Sequence, residues 1–301
     1  MPEKIEISLQ IPHADPNKQD RFFSLRLKRE LINERSVFKG GGGMFVISDV
    51  GGDFQKFCKI LYRGKIIDKQ LNWVFKEGHV IILGNCLEDN EDVLECLWLI
   101  YSLEEKAEKM NGHLHFILGD KEIKNLNGQW RFRHPQYAKA EKVGRNASTV
   151  LYDGSNELWR WLKTKNLIEK IGHTLFVHGG LSMRVLYGAR TIEEINSLAK
   201  TLGNPKSLFK SPTIGDIFPG NGNIEGEGVR SDEDQVNKIL KRFKVKRIVS
   251  GYQAAEKIEL FYAGKLINVH TGHMEEHSDG LLIKGRHFFR IKSNGKPEEM
   301  P

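Results

Sequence analysis

Five short polar clusters follow five apolar runs in this chain. "SDVGGD" follows "MFVI", "GNCLEDNED" follows "HVIIL", "GDKE" follows "HLHFIL", "HGG" follows "HTLFV", and "SGYQ" follows "RIV". Loops at the carboxyl ends of strands are where α/β folds assemble their sites. Asp49, Asn85, Asp120, Glu122 and His178 supply oxygen and imidazole donors, the types that hold a divalent cation. Lys121 sits among them and breaks the pattern, because an ammonium has no lone pair to give a metal.

The order and spacing of these blocks resemble the calcineurin-like metallophosphoesterases, in particular the bacterial-type (Shewanella-like) Ser/Thr protein phosphatases and the related diadenosine tetraphosphatases. That family carries GDxHG, GDxxDRG, GNHE, HGG and a later GH, and the similarity runs over about residues 44 to 285. The stretch "GDKEIKNLNGQWRFRHPQY" resembles the text after the family's GNHE block. The resemblance implies two packed mixed β-sheets flanked by helices in a single α/β domain, with the site at the strand tips. It also implies two metals that polarise a phosphate and generate a hydroxide.

Measured against that pattern, the blocks are altered where the chemistry is done. Asp49 keeps the first ligand, but Gly51 stands at a His position. Asn85 replaces the carboxylate that bridges the metals, Glu88 stands for a second Asp, and Asp89 for a phosphate-binding Arg. Asp120 stands for an Asn ligand, Lys121 for the His that protonates the leaving group, and Glu122 is kept. His178 is retained in an intact "VHGG", and Tyr252 replaces the last His. A further Arg of the family has no counterpart in "SPTIGDIFPGNGN". An amide offers only a neutral oxygen, and Asp89 repels an incoming phosphate. The expectation is a catalytically degenerate protein with no cofactor, acting as a binding or regulatory module. The alternative is a residual phosphoesterase with one divalent metal (Mn, Fe or Zn) on Asp49, Asn85, Asp120 and His178.

Plainer roles stand beside these. Asp49 could cap the helix after "GG", His178 could be a hydrogen-bonded core histidine, and Asp120 and Glu122 could favour a helix N-terminus. Asn85 could serve turn chemistry alone. Lys121 either turns into the vacated site toward Asp49 or Asp120 or lies on the surface. His270, His273 and His277 in "HTGHMEEHSD" read as an exposed polar turn in preference to a loop metal site. "KGGGGM" lacks the Lys-Ser/Thr of a phosphate loop and reads as a lead-in to the strand.

The elements that must position these residues alternate. "KIEISLQI" is patterned as an edge strand, and "DFQKFCKILYR", "EDVLECLWLIYSLEEKAEKM" and "DEDQVNKILKRFKV" are spaced as helices between the strands above. "KIELFYA", "KLINVH", "LLIKG" and "HFFRIK" close the chain as strands. This divides the chain into an extension over residues 1–43 and a domain over 44–295.

Composition sets the outer limits. With 39% hydrophobic and 28% charged residues over 301 positions, the chain can bury one sizeable core. A net charge of +7 favours anionic partners, but the charges are interleaved and no basic tract suggests nucleic acid. The partner expected is a phosphorylated or otherwise anionic protein or small molecule. Three cysteines without paired spacing, no signal-like N-terminus and no membrane-length apolar run point to the cytoplasm.

Overall fold

A computed structural model describes residues 4–11, 19–28, 30–87, 90–126, 156–181, 191–202, 232–251, 253–271 and 278–301. Glu88, Asp89, Tyr252, His273, His277 and the "SPTIGDIFPGNGN" stretch lie outside them.

Two six-stranded mixed sheets form the frame. In the first, β4 (Met44–Ile47), β5 (His79–Ile82) and β6 (His113–Phe116) run parallel, and β12 (Asp279–Lys284), β13 (His287–Lys292) and β14 (Glu298–Met300) add antiparallel strands on the β4 side. In the second, the order is β10 (Glu259–Phe261), β11 (Leu266–Asn268), β9 (Arg247–Ser250), β8 (Thr174–Val177), β7 (Ile168–Ile171) and β3 (Val37–Phe38). Among the described residues, strands β1 (Lys4–Ile11) and β2 (Arg21–Lys28) pair only with each other. The leading 43 residues thus contribute both a separate hairpin and, through β3, an edge of a main sheet.

Side-chain alternation builds the layers. Val46, Ile81 and Leu83 meet Phe176, Val249 and Ile267 between the two sheets. The opposite faces, carrying Phe45, Val80, Ile82 and Leu175, pack under the helices. Buried on both faces, the parallel strands read as unbroken apolar runs.

Helix α1 (Phe54–Arg63) buries Phe54, Phe57, Ile60 and Leu61, and α2 (Val93–Lys109) follows β5. Three further helices come next, α3 (Asp120–Leu126), α4 (Glu157–Leu162) and α5 (Ile192–Leu202). Helix α6 (Glu233–Phe243) buries Val236, Ile239, Leu240 and Phe243 at i, i+3, i+4 and i+7. Among the described residues no helix is long and apolar enough to cross a membrane.

Candidate functional site

The tips of β4, β5, β6 and β8 converge, and left-handed backbone turns the β4 and β5 loops. Asp49 has φ 52° and Asn85 has φ 53°, values at which Asp and Asn are the commonest non-glycine residues. Backbone bonds stitch the first two tips: Asp49 N–H donates to Gly84 O and Gly51 N–H to Asn85 O, each at 3.1 Å. Gly84 and Gly119 let the second and third tips touch, since a Cβ on Gly84 would lie 2.4 Å from the Gly119 nitrogen.

Asp49 is buried, and its oxygens are engaged by side chains of the same cluster. Asn85 Nδ2 donates to Asp49 Oδ1 at 2.9 Å. Ser48 Oγ donates to Asp49 Oδ2, with the Leu83 and Gly251 carbonyl oxygens 3.2 and 3.1 Å from the same hydroxyl. His270 Nδ1 lies 3.6 Å from Asp49 Oδ2. The helix cap that Asp49 could have supplied is made instead by Asp53, whose carboxylate accepts Lys56 N–H at 3.0 Å. His270 is therefore part of the site, although the sequence reading placed it in a polar turn.

Asn85 is fixed from both ends. While Nδ2 donates to Asp49, its Oδ1 accepts the Lys121 N–H at 3.3 Å. A carboxylate could accept the second bond but could not donate the first.

Glu122 is buried and accepts four backbone amides: Asn85 at 2.8 Å, Cys86 at 2.9 Å, Leu87 at 3.1 Å and Gly119 at 2.9 Å. It clamps the β5 loop onto the β6 loop, which makes it a positioning residue. Burial pushes its carboxyl up, and the amides of Asn85, Leu87 and Gly119 pull it back.

Asp120 pairs with two cations. Lys124 Nζ lies 2.7 Å from its Oδ2, one turn along α3, and His178 Nε2 lies 3.6 Å from its Oδ1. Although burial opposes ionisation, His178 and Lys124 hold the Asp120 carboxyl well below the usual carboxylate range. Fully buried His178 donates from Nδ1 to Leu83 O at 2.6 Å. Burial lowers its pKa, but Asp120, Asp49 and the Leu83 carbonyl together raise it to about 9. Asp120 and Asp49 thus favour the protonated ring, the form that has no lone pair for a metal.

Lys121 is half-buried. Burial lowers its ammonium pKa, while the carboxylates of Asp49 and Glu122 draw it up. Three carboxylates (Asp49, Asp120, Glu122) thus gather with three cations (Lys121, Lys124, His178). Ser48 and Lys124 are further members of the site; only Lys124 has a readable signal in the sequence, four residues beyond Asp120 on one helix face.

The retained residues do not fit a two-metal centre. Asn85 directs a donor at Asp49 where a bridging carboxylate would hold both ions, and Gly51 brings no side chain. Glu122 is spent on backbone amides, and His178 faces Asp120, which favours its protonated form. Among the described residues no three His, Cys, Asp or Glu side chains are grouped to hold an ion.

A profile of the calcineurin-like phosphoesterase family matches residues 44–251. The chain belongs to that family. An uncharacterized protein of Schizosaccharomyces pombe is 23% identical over 69% of this chain and 66% of its own length. Shewanella-like protein phosphatase 1 of Plasmodium berghei is 23% identical over 57% of this chain and 47% of its own. The chain therefore spans about half to just under two-thirds of these relatives. Among solved structures, the cold-active protein-tyrosine phosphatase of a psychrophilic Shewanella species superposes with a TM-score of 0.83 at 26% identity, covering 97% of this chain and 90% of that one. The two-sheet architecture of this calcineurin-like phosphoesterase is that of the family.

Proposed function

We propose that this protein is a pseudophosphatase: a calcineurin-like phosphoesterase scaffold that binds a partner and does not hydrolyse it. The observation that carries the reading is the Asn85–Asp49 hydrogen bond of 2.9 Å, which joins two former ligand positions directly. The ion pairs around it supply the charge balance that metals supply in a working centre. The net charge of +7 and the Lys121 and Lys124 ammoniums at the tips suit a phosphorylated or otherwise anionic partner. Free thiols at Cys58, Cys86 and Cys96 suit the cytoplasm.

A second reading keeps one metal on Asp49, Asn85, Asp120 and His178. It is favoured by the 3.6 Å separation of His178 Nε2 from Asp120 Oδ1. Two ligands about 2.1 Å from one tetrahedral zinc lie roughly 3.4 Å apart, so a small ion would fit between them once His178 lost its proton.

The two are separated by elemental analysis of protein purified without chelator, together with hydrolysis of p-nitrophenyl phosphate in manganese. The pseudophosphatase gives well under one metal per chain and background turnover. One metal per chain, with a manganese-dependent rate abolished by His178→Ala, would establish the second reading.

A further inference from the structure

At the ends of β5 and β6 away from the tips, three histidines enter the layer between the sheets. His79 on β5 and His113 and His115 on β6 share the faces of Ile81 and Ile117, two residues along each strand. His115 Nδ1 lies 2.7 Å from Glu169 Oε2, and His115 Nε2 lies 2.9 Å from His79 Nδ1. Glu169 is fully buried, and its other oxygen accepts Asn166 Nδ2 at 2.9 Å. This continuous chain runs from a core carboxylate to His79, which is only 5% exposed and lines a cavity of about 610 Å3. Nδ1 of His79 is engaged by His115, so Nε2 is the ring atom left to serve a ligand in the cavity that His79 lines.

The same cavity is walled by Arg35, Lys39, Gly40, Gly41 and His113, with Glu77 the one carboxylate among the described lining residues. The "KGGGG" run therefore shapes a pocket as well as leading into β4. Arg35 is held over the Phe38 ring, 5.0 Å from its centroid. A neighbouring cavity of about 730 Å3 is lined by Lys165, but that ammonium is bound to Glu34 and Glu104. Arg35 lines both cavities, and Lys39 adds a second cation to the smaller one.

We infer that Arg35, Lys39, His79 and the Gly40–Gly41 corner form a second ligand site that takes a small tetrahedral oxyanion together with one proton, which passes through His79 and His115 to Glu169. When Glu169 is ionised, His115 donates to it, His79 donates to His115, and Nε2 of His79 is a bare acceptor. When Glu169 is protonated, every bond in the chain reverses and Nε2–H becomes a donor. An oxyanion needs the donor form, so binding draws in a proton.

Burial holds His79 and His115 down to about 3, so both rings stay neutral. Burial also pushes the Glu169 carboxyl up to about 7, against Asn166, Lys165 and Lys200. The other charged groups facing the chain are Glu34 and Glu104 around Lys165, and Arg35 and Glu108 beside His113. The partner of His115 Nδ1 is Glu169, at 2.7 Å.

Sulfate is the probe, because it brings no proton of its own. Titration calorimetry at pH 8, in two buffers of different ionisation enthalpy, counts the protons taken up. The expected result is one saturable site with uptake approaching one proton at pH 8 and falling toward none at pH 6. Arg35→Ala, an exposed change, weakens binding roughly tenfold or more. Glu169→Gln, whose amide donates to His115 and so mimics the protonated acid, binds sulfate with no uptake and no pH dependence. Asp49→Asn leaves the site unchanged. Absence of saturable binding overturns the inference. So does binding that survives Arg35→Ala, and so does an uptake of zero at pH 8.

Discussion

Asn85 concentrates the chemical change in this protein into one atom. Its Nδ2 donates to Asp49, and an Asp at this position would set two carboxylates face to face. Asn85→Asp should therefore destabilise the metal-free protein by about 2–3 kcal/mol, and millimolar manganese should restore most of that. Urea unfolding with and without manganese measures both. An Asn85→Asp protein as stable as the parent, indifferent to the ion, would contradict the role assigned here. His178 gives a pH signature of definite sign. Its pKa is about 9 in the fold and about 6.5 unfolded, so its stabilisation is complete below pH 6.5 and is lost as pH rises through 9. The loss amounts to about 3 kcal/mol across that window, and it should vanish in His178→Asn. Asp120, held low, acts in the opposite sense: its contribution is present above its unfolded pKa and fades only in acid. The altered ligand positions themselves were legible in the sequence, because each departs from a family block by residue type. Their partners were not. His270 comes from beyond β11 and meets Asp49 only through tertiary packing.

The tip loops hold together because one short helix begins with the right acid. Glu122, in the first turn of α3, accepts amides from both the β5 and β6 loops. Glu122→Gln keeps the volume but turns an NH2 toward amide donors, leaving at least one buried N–H unsatisfied. A loss of about 2–3 kcal/mol is expected, with faster hydrogen exchange at Asn85, Cys86 and Leu87 as the local readout. Equal exchange in both proteins would show that the clamp is dispensable. Strands β4, β5, β6 and β8 were readable as apolar runs, and α1, α2 and α6 as periodic stripes. Strand β2 was missed even though Phe23 and Leu25 alternate inward in "RFFSLRLK", because charge dilutes the run. Strand β7, "IEKI", hides its burial behind Glu169, a carboxylate the sequence gives no reason to place in a core. Helices α4 and α5 also escaped notice, the first being only six residues long.

Across the whole molecule, side-chain ion pairs stand where the resemblance implies cations, so folding should not depend on a metal. Protein dialysed against EDTA should melt within about 1 °C of untreated protein, well inside the several-degree shift that losing a tightly bound ion produces. A drop of several degrees would point back to the one-metal reading. The fold class was legible from the ordered tip loops and their resemblance to a family. The joining of the two sheets was not, because strand partners distant in sequence leave no local pattern.

One such pairing governs how the chain is made. Strand β4 has β5 on one side and on the other β12, more than 230 residues later in the chain. Until residues 279–284 are synthesised, Met44–Ile47 presents an open apolar edge, the kind of edge that pairs with other chains. Nascent chains arrested before β12 should therefore bind holdase chaperones and aggregate on release, while chains extended through β13 should not.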